Sequence, residues 1–333
     1  MGKLKFATKR GASCVGCEIE ILNLHEKLLQ LFENIEIVFG PTLVDVKYKE
    51  FKALPEKSVD IGIYHGAIRN EDNEEMAKVM REKCKVLIAF GSCACFGGIP
   101  SLANFSDARG CLNTAYREVV SVENPEGVLP SPEVIVNGKY KLTLPKLFDT
   151  VKKLDDVVKV DYYIPGCPPT HDMIHRVLDL IVHLAKGGAP PESKFPASFD
   201  KALCEECPRK DTKPEKLIIE DIKYLHEVTP DPDKCFLAQG ILCMGPATRG
   251  GCGAPCINAN MPCRGCCGKP DNALEQGAAM LSAFTSILVV DKEKDMTEEE
   301  IQKLIDRIKD PAGYFYRFSM ADSILKRKQK DLK

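Results

Sequence analysis

Hydrophobic positions in the first half of the chain switch between two periods. Apolar runs at 3–8 (KLKFAT), 35–41 (IEIVFGP), 59–67 (VDIGIYHGA), 85–91 (KVLIAFG) and 160–166 (VDYYIPG) have the length and β-branched content of strands. After its lysine, KVLIAFG is continuously apolar, as a strand buried on both faces of a parallel sheet must be. Between these runs Ile21, Leu24, Leu28, Leu31 and Phe32 recur at helical spacing and predict one helix. An acidic, lysine-bearing helix is predicted from about Glu71 to Lys83, and another through Ile174, Leu178, Ile181 and Leu184. Strands alternating with helices predict a doubly wound α/β sheet, with ligands beyond the carboxyl ends of its strands.

The pattern weakens after Asn104. A helix near Cys111 to Val120 and a proline-rich, partly extended stretch (125–145) suggest an insertion folded over the sheet. GGAPPESKFP (187–196) has linker composition and sets a boundary between a domain at 1–188 and one at 189–333. Lys213 to His226 is charged and helix-prone, and helical periodicity returns at 273–288. Thr297, followed three residues later by Glu300, forms a capping box that opens a further helix.

The stretch 235–267 fits neither period. It reads CFLAQGILCMGPATRGGCGAPCINANMPCRGCC, and glycine and proline fill its gaps. So little regular structure needs another source of stability, and bound metal supplies one.

The 333 residues suffice for two cores; at 44% hydrophobic and net charge −2 they have globular composition and no basic excess for nucleic acid. No signal segment or twin arginine opens the sequence, Phe6 breaks a myristoylation pattern, and no apolar run reaches membrane-spanning length. The KRKQKDLK run at the end reads as a solvated terminus. These features lead us to expect a cytoplasmic protein, where disulfides are disfavoured, so 16 cysteines point to metal or redox chemistry.

Cys14 and Cys17, Cys93 and Cys95, and Cys167 follow predicted strands and would meet at one end of a parallel sheet. A thioredoxin-like role for Cys14 and Cys17 leaves the other cysteines idle. Two Cys-x-x-Cys knuckles, Cys204/Cys207 and Cys263/Cys266, fit structural zinc, but leave the rest of the 235–267 stretch unexplained. Iron–sulfur clusters take thiolates in fours and tolerate irregular backbone, often with proline beside a ligand, as at Pro168, Pro208 and Pro262.

The motifs GASCVGC, GSCACFGG, PGCPP, CEEC, CMGPATRGGC and PCRGC, in this order, resemble the small, electron-transferring subunit of nickel–iron hydrogenases along nearly the whole chain. The resemblance implies a flavodoxin-like domain followed by an irregular iron–sulfur domain. It implies a proximal [4Fe–4S] cluster on Cys14, Cys17, Cys93 and Cys167, next to the active site of a separate large subunit that activates H2. The distal cluster would use Cys204, where many members have His, with Cys207, Cys235 and Cys243. The medial cluster would use Cys252, Cys263 and Cys266, with Cys256 where many members have Pro and a [3Fe–4S] cluster; three [4Fe–4S] clusters are therefore expected here. Asp45, in a Thr-Leu-x-Asp segment, is a rival proximal ligand. The departures at 204 and 256 resemble the cytoplasmic methanogen-type branch that works through an iron–sulfur electron-transfer subunit and heterodisulfide reductase. An F420-reducing or sulfur-reducing complex is the alternative, and a zinc-stabilised scaffold a further one.

The remaining positions have plainer readings. Cys84 and Cys111 are expected to be small buried apolar residues, Cys95 to pack beside the site, and only one of Cys266 and Cys267 to be a ligand. His65, His171 and His175 are not expected to be ligands or to move protons. Gly97 and Gly98 lack a nucleotide-loop pattern and suggest close backbone approach to the proximal cluster or a partner.

Overall fold

The computed structural model describes residues 3–289 and 294–326; Met1, Gly2 and most of the charged carboxyl-terminal run lie outside the described residues. Five strands form a wholly parallel sheet: β1 (Leu4–Arg10), β2 (Ile35–Phe39), β3 (Val59–His65), β4 (Cys84–Phe90) and β5 (Tyr162–Ile164). Their order is β2-β1-β3-β4-β5, the flavodoxin-like arrangement, which places a topological switch beside β1.

The register decides where the site forms. Arg10 pairs with His65, His65 with Phe90, and Phe90 with Ile164. The carboxyl ends of β1, β3, β4 and β5 therefore lie in one row. The loops carrying Cys14, Cys93 and Cys167 all leave from that row.

Helices cover both faces. On one, Ile61, Ile63, Ile88 and Phe90 pack with Ile174, Val177 and Ile181 of the helix His171–Ala185. On the other, Val59, Leu87 and Ala89 pack with Met76, Ala77 and Met80 of the helix Glu71–Lys83. The latter helix has the predicted bounds because its ends are specified. Asn70 accepts from the Asn73 N–H, acidic side chains occupy the first turn, and Arg81 and Lys83 occupy the last.

Some elements differ from the sequence expectation. The single helix expected after Cys17 is two, Gly16–Leu22 and Lys27–Asn34. The chain bends between them, with His25 at φ +50°, and the bend turns Leu24 into the core. Only the end of the insertion packs against the sheet, through Phe148 and Leu154. Its hairpin, Glu133–Val136 with Tyr140–Thr143, is exposed along both strands and turns at Asn137-Gly138, both at positive φ. The insertion's return strand, Leu147–Lys152, pairs with Ile68–Asn70, and the Asn104 side chain bonds both Val151 N–H and C=O.

The expected helix at 213–226 is absent. Ile219 instead donates to Ile287 C=O and accepts from Val289 N–H, while Ile219 and Ile222 bury in a separate core. Tertiary pairing of β-branched side chains outweighs the local helix propensity of the charged residues. That core holds Phe236, Leu237, Ile241, Met280, Phe284 and Phe315. The helix Gln276–Thr285, within the expected 273–288, is capped by Glu275, and Glu298–Ile305 carries the expected Thr297/Glu300 capping box. The last described segment returns to the sheet domain, where Gly98 donates to Phe318 C=O at 3.1 Å and Lys153 pairs with Asp322 at 2.8 Å.

Candidate metal centres

The row of strand ends brings Cys14, Cys17, Cys93 and Cys167 together. Burial raises the Cys17 thiol far above its ordinary range, and proximity to Cys93, Cys167 and Cys14 raises it further. Cys93 is pushed up to about 12 by burial and then by Cys167 and Cys14. Cys167 is pushed up to about 11 by burial, then Cys266 and Cys14. Clustered thiolates in mutual repulsion need a cation among them, so this donor set suits iron.

Two glycines keep that space clear. A Cβ on Gly91, at φ +81°, would lie 2.6 Å from Cys17 Sγ; one on Gly98, at φ +55°, would lie 2.5 Å from Cys93 Sγ. Gly98 therefore approaches the site as the sequence suggests, whereas Gly97 abuts Ala321 and Ser101. Asp45 is not brought to these thiols. Its side chain is 89% exposed and paired with Lys47, because its loop lies beyond the edge strand β2.

A second group joins Cys204, Cys207, Cys235 and Cys243. Cys204 is pushed up to about 12 by burial and then by Cys243, Cys207 and Cys235. Cys243 is pushed up to about 11 by burial, against N–H donation from Gly245 and Cys263.

The third group is less regular. Burial and then Cys266 and Cys252 raise Cys256, while Cys263 is raised by burial and then by Cys243 and Cys266. Cys252 and Cys266 are lowered instead, chiefly by hydrogen bonds from the Cys267 thiol. Cys267, left over by the motif spacing, thus sits within this group, 1% exposed.

The groups adjoin in series: Cys266 lies close enough to Cys167 to raise its thiol, and Cys243 close enough to Cys263 to do the same. Among the described residues, no three His, Cys, Asp or Glu side chains are placed to hold one metal ion. A zinc–sulfur bond of about 2.3 Å requires the sulfurs to crowd within about 4 Å.

Glu206, interior to CEEC and without a motif role of its own, fastens the second group to the third. Its Oε1 accepts from Gly251, Cys252 and Gly253 N–H at 2.8, 3.1 and 3.2 Å. Glu206→Ala leaves those donors unpaired, at a cost of about 1–3 kcal/mol. Iron loss at a lower denaturant concentration than wild type is expected, with Glu206→Gln losing less; identical release curves would remove Glu206 from this role.

The remaining cysteines pack. Cys84 is fully buried with its Sγ against Gly62, and Cys95 donates to Ala89 C=O at 3.3 Å. Cys111 is half-buried rather than buried, because its insertion helix lies at the surface. His171 bonds Asn23 C=O and His175 meets Lys27, while buried His65 lies 2.9 Å from Glu18.

A family model described as NADH ubiquinone oxidoreductase, 20 Kd subunit, matches residues 14–181. The chain is 39% identical to the iron-sulfur subunit of the F420-non-reducing hydrogenase of Archaeoglobus profundus, over 98% of both chains. It is 38% identical to a subunit of the F420-non-reducing hydrogenase of Methanothermobacter marburgensis, again over 98% of both. A [NiFeSe] hydrogenase structure from Desulfovibrio vulgaris Hildenborough shares the fold, with TM-score 0.52 and 19% identity over 82% of this chain and 95% of that one. The described residues contain no helix long and apolar enough to cross a membrane. The chain belongs to the small subunits of nickel–iron hydrogenases, within the group of the F420-non-reducing hydrogenase iron–sulfur subunits.

Proposed function

We propose that this chain is a cytoplasmic electron conductor with three [4Fe–4S] clusters, carrying electrons from H2 oxidation in a large subunit towards a heterodisulfide reductase-type complex. The observation that carries the reading is the series of three four-thiol groups, adjoining where Cys266 lies near Cys167 and Cys243 near Cys263. Cys14, Cys17, Cys93 and Cys167 hold the proximal cluster, Cys252, Cys256, Cys263 and Cys266 the medial, and Cys204, Cys207, Cys235 and Cys243 the distal. When bound, each cluster supplies a one-electron carrier whose potential follows ligand charge, burial and hydrogen bonds to sulfur. The chain's own part is to seat the clusters in series. Residues 1–188 form the proximal-cluster domain and 189–333 the medial and distal one.

Beside the proximal loop, Val15, Ile19 and Leu22 are 42, 51 and 52% exposed at the rim of an apolar cavity of about 240 Å³. Apolar side chains in that position suit burial against the large subunit. Anaerobic purification with iron and acid-labile sulfide analysis tests the whole reading. About twelve irons per chain with matching sulfide supports it; zinc without sulfide replaces it with a scaffold. Copurifying flavin and iron–sulfur subunits supports the heterodisulfide reductase partner, whereas an F420- or sulfur-reducing partner redirects the wire.

Cys204→His removes one ligand charge from the distal site, so the distal midpoint potential should rise. A redox titration with no upward shift would remove Cys204 from the ligand set.

A further inference from the structure

Arg209 is 4% exposed, and its partners are unusual for a buried guanidinium. Nη1 donates to Asp231 and Lys234 C=O at 3.3 and 3.2 Å, and Nη2 donates to Ile257 C=O and Asn260 Oδ1 at 3.3 and 2.8 Å. The guanidinium carbon lies 4.2 Å from the centre of the Phe236 ring. Each partner is a neutral oxygen or a ring face. No carboxylate pairs with Arg209 among the described residues, and the Asp231 carboxylate is turned to Lys234 instead.

The surroundings of this charge are cluster loops. Arg209 lies two residues beyond Cys207 and its N–H donates to that thiol. Phe236 follows Cys235, and Ile257 follows Cys256. A full positive charge is therefore buried between the distal and medial thiol groups with no countercharge of its own. Burying a guanidinium uncompensated is costly, and neutral acceptors offset only part of that cost. An anion between the same loops would offset the rest. Adding an electron to a thiolate-ligated cluster makes it more negative, and a nearby buried cation favours that form because water does not screen it.

We infer that Arg209 is a positioning residue that holds the distal and medial potentials up, through its charge rather than its hydrogen bonds. The inference rests on the cluster assignment proposed above. It also gives the Cys204 departure a counterweight: the extra thiolate charge at the distal site is opposed by a cation two residues beyond Cys207.

The test is an EPR-monitored redox titration of the purified complex, with iron content measured on each sample. Arg209→Gln removes the charge, and Asn260→Asp sets a carboxylate of the same shape against it, losing only the amide's bond to Pro230 C=O. Both should lower one or two of the three midpoints and leave the proximal one in place. Arg209→Lys keeps the charge while losing the fork, so its midpoints should stay near wild type. Should Arg209→Gln lose iron, Asn260→Asp against wild type decides. Full iron with unmoved midpoints in Asn260→Asp overturns the inference, as does an equal fall in Arg209→Lys and Arg209→Gln. Wild-type protein without iron and sulfide would instead overturn the cluster assignment.

Discussion

Gly91→Ala is expected to empty the proximal site while leaving the others filled. The glycine is the first residue after β4 and holds φ +81°, with its missing Cβ 2.6 Å from Cys17 Sγ and 3.6 Å from Gly166 C=O. Strain alone is modest, about 1–2 kcal/mol for a Cβ in left-handed backbone. The contact with sulfur matters more, because a ligand thiolate has a fixed place and no flexible end that can swing away. Iron should fall by about a third, from about twelve to about eight per chain. H2-dependent reduction of the remaining clusters should be lost, since the proposed route brings their electrons in through the proximal site. Gly138→Ala provides the control: it adds the same backbone penalty at φ +64° in the exposed hairpin, with nothing within 4 Å of the new Cβ. It should keep all its iron. Full iron in Gly91→Ala, or equal loss in both, would contradict the steric account.

The parts of the protein that could be read in advance are those where one physical rule acts alone. KVLIAFG has to be a buried strand because both its faces are apolar, and it is one. Cysteines directly after strands have to emerge at the sheet's carboxyl edge, and the Arg10–His65–Phe90–Ile164 row brings them level. Sequence expectation failed where a distant partner overrode local preference. Lys213 to His226 has helical composition, yet Ile219 is pulled out to pair with residues 287 and 289. The proline-rich, partly extended stretch 125–145 suggested an insertion folded over the sheet, yet Val134, Val136, Tyr140 and Leu142 make one face of an exposed hairpin. Glu206 carried no signal at all, because its three backbone partners lie 45 or more residues away along the chain. Gly91 stood beside Cys93 in GSC, but only the fold reveals that Cys17 is its neighbour.

The adjacent pair at 266 and 267 separates what spacing selects from what packing selects. Spacing favours Cys263 and Cys266 as a Cys-x-x-Cys knuckle, and leaves Cys267 over. Packing puts the Cys267 thiol against Cys252 and Cys266, while Cys263 faces Cys266 and the distal Cys243. Both observations are met if Cys267 stays a thiol and donates to two ligand sulfurs. Hydrogen bonding with the Cys252 and Cys266 sulfurs, and then burial, hold its pKa well above the ordinary range. Cys267→Ala should then retain about twelve irons but lower the medial midpoint, because hydrogen bonds to sulfur favour the reduced cluster. Cys263→Ala should lose between about one and about four irons, depending on whether three ligands keep a smaller cluster. It should also break conduction between the proximal and distal groups. Iron loss in Cys267→Ala with full iron in Cys263→Ala would exchange the two roles. It would also move the medial cluster towards Cys167, since Cys266 already lies near Cys167. The distal side would then lack a ligand next to Cys243, and the wire would have its longest gap there.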